Sequence, residues 1–473
     1  MTARDQLWQL DAAELVQGYR AGRFTAVDAA EACLARTEAC EPALNAMAVL
    51  DSAGALTAAR ASARRYAEGA ALGPLDGVPV SIKDNMHVAG LPTGWGSRLL
   101  RNLVPERDEV PVAALRRAGA VITGKTTLSE FAMQGFTSTL AAGTTRNPWN
   151  TALTPGGSSG GAVAGVAAGY TPLALGTDGG GSTRRPASHC GLVGFKPSTG
   201  LVPRGGGLPE IFLGYEVAGS IARTVPDAIA LTEALAGHAI TEAAPEKARI
   251  LFIPGFADHP VDPGIAARLR HAAEHLAGMG HEVEEIGHVD FAERLNPIWM
   301  RLSAVGLAWM IDNPACWPAL GWPEGEKPDM ALCMAAAQEN YRSGAAAGGA
   351  ALFEILIEIE ALKHRLGALF SRCDALLMPA TAALPWPAEE SHPPVIDGRP
   401  VGPRGHAIFT GFVNAAGLPA IALPWGEVGG LPTGFQLIAP AGRDGWLLAL
   451  SREIERSAPA FGSTTPPLMR SFP

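Results

Sequence analysis

Serine and lysine side chains set among glycines are the residues of this chain best suited to covalent chemistry. Three stretches hold them. Gly119-Ala-Val-Ile-Thr-Gly124-Lys125-Thr126 fits the expression for a phosphate-cradling P-loop. Gly156-Gly-Ser158-Ser-Gly160 fits the nucleophile elbow of α/β-hydrolases. The third stretch contains the second and runs on: from Pro155 the chain reads PGGSSGGAVAGVAAGYTPLALGTDGGGSTRRPASHCGLVGFKPSTG. Local physics argues against the first two. A P-loop needs a compliant turn after a strand, with N–H groups converging on phosphate. Here the interior is Ala-Val-Ile-Thr, a run that prefers a strand, and the helical VAALRRAG precedes it. Lys125 then reads as a structural or surface residue after a strand. An elbow follows a buried strand, but NPWNTALTP ahead of Ser158 carries prolines and polar groups. The elbow also needs an Asp and a His from later loops, and His364, His392 and His406 have no distinguishing context.

The whole block reads differently. GGSSGG and GGGS flank one helix-and-strand unit. Glycine-rich turns let the backbone approach a substrate closely and aim successive N–H groups at one spot, which is what an oxyanion hole requires. Two such turns can present two serines to each other. The plain alternative, glycines that only shape tight turns, is left open by spacing alone.

The block resembles the amidase signature family of serine hydrolases. That family has a GGSSGG turn, a helix, then G-T-D-x-G-G-S-x-R-x-P and C-G-x-x-G-x-K-P. This chain supplies Gly156–Gly161, then Gly176 to Pro186 with Asp178, Ser182 and Arg184 in place, then Cys190 to Pro197. Upstream, Asp76-Gly-Val-Pro-Val-Ser-Ile-Lys83-Asp84 resembles the family's lysine strand, and Gly124-Lys125-Thr126 with Ser129-Glu-Phe, Arg146-Asn-Pro-Trp, Ala416-Gly-Leu-Pro and Gly430 to Gln436 match as well. The likeness extends from about residue 10 to residue 455. It implies a Ser–Ser–Lys catalytic set: Ser182 as nucleophile, Ser158 as the bridging serine with a cis peptide bond, and Lys83 as base.

Residue chemistry fits those implied roles. A serine hydroxyl is a weak nucleophile until a base takes its proton. Lysine ordinarily titrates near pH 10.4 and becomes a base at neutral pH only if burial and dipoles lower that value; the end of an apolar strand suits such burial. The N–H groups of Gly179, Gly180, Gly181 and Ser182 are the oxyanion-hole candidates, and Asp178 and Arg184 are expected to brace the loop. Gly179, Thr183 and Arg185 depart from the family's usual residues; they leave the triad intact and bear on how the loop fits its substrate. The expected activity is hydrolysis of amide-type C–N bonds of small, uncharged, apolar or aryl substrates, with carbamates and esters included, through an acyl-enzyme on Ser182. Two alternatives differ in class. One is the glutaminase subunit of a tRNA-dependent amidotransferase, which the resemblance associates with an Arg in a Phe-Asp-Gly-x-Arg-Tyr-Gly stretch and an Asp before a distal Phe/Tyr-Thr. This chain lacks the stretch and has Ala407 before Ile408-Phe409-Thr410. The other is a non-catalytic binding protein on the same fold, which the intact Lys83, Ser158 and Ser182 disfavour. Met133 and Gln134, after the Ser129-Glu-Phe segment, and Trp309 and Trp317 are candidate pocket residues.

The elements that must position these groups alternate. Residues 8–70 read as helical, Gly77–Lys83 as a short buried strand, Val112–Ala120 as a helix followed by a strand, and TTLSEFAM as a further helix. Further on, 248–255 and 281–286 read as strands around a helix at 264–280, and PAIALP and TGFQLIAP precede a last helix. The expected fold is α/β, a large mixed, mostly parallel central sheet covered by helices on both faces. One domain over 1–473 is expected, with its signature core at about 73–205 and a Trp-rich, pocket-forming insert at about 290–345. The 473 residues carry a net charge of −9 with no Lys/Arg-rich run, which disfavours nucleic acid as a partner. The chain opens without a basic, then apolar, leader, and no apolar run reaches about 18–20 residues. A cytoplasmic protein without a membrane partner is expected, acting on a small molecule, with a homodimer allowed. Six cysteines without CxxC spacing read as free buried thiols, and the histidines show no metal-ligand spacing, so neither metal nor cofactor is expected.

Overall fold

The computed structural model describes residues 3–240, 242–287, 289–322, 326–458 and 466. Near its start, the Ala-rich segments become helices because their caps stand beside them. Asp11 with Glu14, and Thr25 with Asp28, form capping boxes at Ala12–Arg20 and Ala26–Leu44, satisfying N–H groups that a first helical turn leaves unpaired.

Among the described residues eleven strands form one sheet: β1 Met47–Leu50, β2 Pro79–Lys83, β3 Val121–Thr126, β4 Leu173–Asp178, β5 Val193–Lys196, β6 Val217–Ala222, β7 Arg249–Phe252, β8 Glu282–Glu285, β9 Ala375–Pro379, β10 Ala420–Val428 and β11 Leu431–Ile438. Their order across the sheet is β1-β3-β2-β4-β6-β5-β10-β11-β9-β7-β8. Successive side chains on a strand point to opposite faces, and here both faces are buried. Ile250, Leu377, Ile421 and Leu437 enter one apolar cluster with helical Leu269 and Leu447. Their neighbours Leu251, Leu376, Ala420 and Ile438 enter a second, with Ile355, Leu362 and Phe412. A mixed sheet covered on both sides is therefore observed, and two-sided burial explains why runs such as PAIALP are apolar throughout. Antiparallel pairing is commoner than the strand–helix alternation predicts. Six of the ten neighbour pairs are antiparallel and four parallel. One such pair, β10 with β11, turns back directly through Gly429 and Gly430, both at positive φ.

Two further differences have local causes. TTLSEFAM forms only a short 3-10 turn at Glu130–Ala132, because Phe131 and Ala132 adopt positive φ. The segment is used instead as a strut: Ser129 N–H donates to the Ser158 carbonyl at 3.4 Å and Phe131 N–H to that of Trp95 at 3.0 Å. The four-residue β1, too short for a periodicity reading, pairs with β3 at the sheet's end. Gly124 lies where Val49 O passes so closely that a Cβ would collide with it. The glycine of the P-loop lookalike thus serves strand pairing, and Lys125, wholly buried, pairs with Asp84 at 2.7 Å.

Candidate active site

β2 lies parallel to β4 in the middle of the sheet, with Ile82 opposite Leu175. The carboxyl ends of both strands therefore open on the same crevice, the usual place for chemistry in an α/β sheet. Lys83 ends β2 and Asp178 ends β4. Lys83 is fully buried. Its Nζ lies 2.7 Å from Ser158 Oγ, 2.7 Å from Thr177 Oγ1 and 3.3 Å from the Thr177 carbonyl. Burial lowers its pKa to about 8 against the opposing pull of Glu216 and Asp178.

Ser158 sits in the first glycine turn, entered from an irregular segment, with a cis Gly157–Ser158 peptide as the resemblance implies. The two turns touch: Ser159 N–H donates to the Ser182 carbonyl at 3.4 Å. Ser182 is buried. Its loop is held from inside by Asp178, which accepts from Gly181 N at 2.6 Å, Thr183 N at 3.1 Å, Thr183 Oγ1 at 2.8 Å, Arg184 Nε at 3.1 Å and Arg184 Nη2 at 2.9 Å. Thr183, unusual at its position, thus adds one bond to the brace. Arg184 continues to Gln436, Asn414 and the Thr410 carbonyl. Asp178 and Arg184 are both bonded into this loop, which bears on the oxyanion candidates in one respect. The Gly181 N–H is already engaged by Asp178, whereas those of Gly179, Gly180 and Ser182 have no protein acceptor among the described residues.

Of the four candidate pocket residues, Met133 is buried in an apolar cluster with Trp95, Phe131, Phe212 and Met310. Phe212 reaches the nucleophile loop, 3.7 Å from where a Cβ on Gly179 would stand. Gln134 is half-buried and tied through its backbone to Ser129 Oγ. Trp309 and Trp317 go elsewhere. Their rings pack edge to face, centroids 5.6 Å apart, and line an apolar cavity of about 360 Å³ whose walls include none of Lys83, Ser158 and Ser182. Trp309 is 50% exposed. Trp317 also packs against the cluster that holds Met133 and Phe212, and the hydrogen bond to the nucleophile loop comes from Trp299: its Nε1 donates to the Gly179 carbonyl at 3.2 Å.

Several residues around the serines carry no motif signal. Glu216 accepts from Thr177 Oγ1 at 2.8 Å and from Asn85 at 3.3 Å, and lies 3.5 Å from Arg204. Thr410 Oγ1 donates to the Gly180 carbonyl at 2.7 Å. Gly181, at φ +103°, leaves no room for a Cβ beside that threonine. Arg185 is buried against the first turn, its Nη2 3.3 Å from the Gly157 carbonyl.

Residues 28–448 match the Amidase family. A glutamyl-tRNA(Gln) amidotransferase subunit from Carboxydothermus hydrogenoformans is 34% identical over 96% of this chain and 98% of that protein. Among solved structures, a bacterial aryl acylamidase of the amidase signature family superposes with a TM-score of 0.86 at 25% identity, over 98% of this chain and 99% of the other. The corresponding glutamyl-tRNA(Gln) amidotransferase subunit from Thermotoga maritima does so with a TM-score of 0.73 at 26% identity, over 96% of each. Among the described residues no helix is long and apolar enough to cross a membrane.

Proposed function

The chain belongs to the amidase signature family and is an enzyme acting on amide C–N bonds, and on that premise we propose that it is an amidase that carries the acyl group of a small amide on Ser182. The observation that supports this most directly is the 2.7 Å approach of Lys83 Nζ to Ser158 Oγ, at the end of a wholly buried strand. Neutral Lys83 takes a proton from Ser158 as Ser158 takes one from Ser182, and Ser182 Oγ attacks the carbonyl carbon. The oxyanion forms against the free N–H groups of Gly179, Gly180 and Ser182; one such donor is worth about 10²–10³ in rate. The relay returns the proton to the leaving nitrogen, and water then releases the acyl group. The apolar cluster of Met133 and Phe212 next to the loop favours an apolar or aryl portion in the substrate, and carbamates and esters offer the same carbonyl geometry.

A sulfonyl fluoride is expected to label Ser182, as read by mass spectrometry, and a panel of aryl amides, primary amides, carbamates and esters ranks the substrates. Absence of an adduct, together with hydrolysis unchanged in Ser182→Ala, overturns the reading. The pH profile is a second check. Lys83 must be neutral to act, and its pKa is lowered to about 8. kcat/KM should therefore rise with pH through about 8 and level off above it; a profile flat between pH 7 and 9 removes lysine as the base.

The 34% identity to the amidotransferase protein carries a second reading, release of ammonia from glutamine. Glutamine brings an α-ammonium that needs an acid. Ala407 offers none, Asp178 is engaged by Arg184, and Glu216 by Thr177, Asn85 and Arg204. The aryl acylamidase superposes with the higher TM-score, whereas the relative at 34% identity is the amidotransferase subunit. Glutaminase activity above that on aryl or primary amides would reverse the choice.

A further inference from the structure

Two arginines next to the serine turns form no ion pair with a carboxylate among the described residues. Arg185 follows Ser182 by three residues on the short helix Arg184–Cys190 and is 2% exposed. Apart from its contact with Gly157, its guanidinium is unsatisfied: Nε and Nη1 are buried without a hydrogen-bond partner. Arg404 stands on the other side, its Nη2 3.5 Å from where a Cβ on Gly180 would lie. It is only half-buried, and no ion pair or hydrogen bond of its side chain occurs among the described residues. His406, two residues on, is 1% exposed with both ring nitrogens unpartnered, and it leaves no room for a Cβ on Gly135. His189 keeps an unpartnered Nδ1 as well. Asp178 is the carboxylate that acts on Arg185, and it already holds Arg184.

A buried charge without a counter-ion is costly, and an arrangement of this kind persists in free proteins where a ligand completes it. Burial depresses the Arg185 pKa well below the usual guanidinium value, and Arg404 depresses it further. Burial and the same two arginines keep His406 neutral, available as a donor or acceptor. A guanidinium offers a planar fork matched to a two-oxygen anion.

We propose that Arg185, with Arg404 and His406, forms a carboxylate-binding subsite beside Ser182, so that the preferred substrate is an amide whose acyl portion ends in a carboxylate. This rests on the amidase reading above and replaces the uncharged substrate expected from sequence with a singly anionic one. The spacer between carbonyl and carboxylate lies against the apolar side of the crevice. Glutamine remains a poor fit, because its ammonium would enter a field of arginines.

The test uses a matched pair, the 4-nitroanilides of succinate and butyrate, which differ by a terminal carboxylate against a methyl group. The wild-type enzyme is expected to favour the succinyl compound in kcat/KM by about 30-fold or more, the range for removing one partner of a buried charge pair. Arg185→Gln should lower kcat/KM for the succinyl compound about 30-fold more than for the butyryl compound, chiefly through KM, and Arg185→Lys should restore part of the difference. Equal rates on the pair, or an equal loss on both in Arg185→Gln, overturns the proposal while Ser182-dependent hydrolysis of the butyryl compound keeps the amidase reading. If neither anilide is cleaved, protection of Ser182 from the sulfonyl fluoride is read instead. Glutarate should protect the wild type at lower concentration than Arg185→Gln. Equal protection by phosphate or chloride identifies a free-ion site and overturns the substrate carboxylate. Failure of Ser182 to label at all, with no hydrolysis, removes the amidase reading itself.

Discussion

Ser182→Ala is expected to lower kcat on any cleaved amide by about 10⁵–10⁶-fold, and adding Ser158→Ala or Lys83→Met to it should lower kcat no further. Groups that act as one relay lose their value together, so once Ser182 is gone, further removals leave only the rate supplied by the oxyanion donors and binding. The geometry makes the three groups one unit. Lys83 Nζ contacts Ser158 Oγ, and the turn that bears Ser158 holds the Ser182 loop through Ser159. Lys83→Met alone should approach the Ser182→Ala level, because no other base stands within hydrogen-bond reach of Ser158 Oγ among the described residues. Methionine nearly matches the lysine stem in volume, so the unfolding midpoint should change little while activity collapses. Ser158→Ala should retain more rate than Ser182→Ala, since water in the vacated space can carry the proton while the nucleophile remains. Additive losses, or a Ser182→Ala enzyme with more than about 1% of wild-type kcat, would place the nucleophile elsewhere.

How far the sequence reached depends on the distance over which each feature is written. The two glycine turns and the lysine strand are local: type, order and spacing carry them, and the structure brings Lys83 Nζ against Ser158 Oγ and Arg184 against Asp178. The strand preference that rejected a P-loop at Gly124 also holds, with Lys125 wholly buried in its ion pair to Asp84. What failed was written in tertiary contacts. Thr410 supports Gly180 across 230 residues of sequence. Glu216 reaches Thr177 from just ahead of the neighbouring antiparallel strand, a pairing that strand–helix alternation does not encode. Tryptophans cluster in one segment of sequence, yet it is Trp299, not the candidates Trp309 and Trp317, that hydrogen-bonds the nucleophile loop. The unusual Arg185 was visible by type; its lack of a partner was not, since a missing contact becomes legible only once every neighbour is placed.

Asp178→Ala is expected to destabilise the fold by about 3–5 kcal/mol, the range for removing one partner of a buried ion pair. Asp178 and Arg184 are both wholly inaccessible. The carboxylate accepts two backbone and three side-chain bonds; without it Arg184 keeps only the neutral partners Gln436, Asn414 and the Thr410 carbonyl, with the Arg185 charge close by. Burial alone would raise the Asp178 pKa, but Arg184 and the loop's N–H groups overcome it and hold it well below the ordinary carboxylate value. The sign follows: a depressed pKa contributes stability that is full above the unfolded value near 4 and is lost as pH falls through the folded one. Wild-type stability should therefore fall on acidification more steeply than that of Asp178→Asn. Urea midpoints at pH 7 and at about pH 2.5 measure both effects. The double variant Asp178→Asn with Arg184→Gln removes both charges at once and should recover part of the stability lost in the single change, since no uncompensated ion is left inside. It should not recover activity, because the Gly181 N–H and the Thr183 backbone lose the anchor that shapes the loop around Ser182. Recovery of both together would mean that the pair serves only to neutralise charge; recovery of stability alone assigns it to positioning the nucleophile.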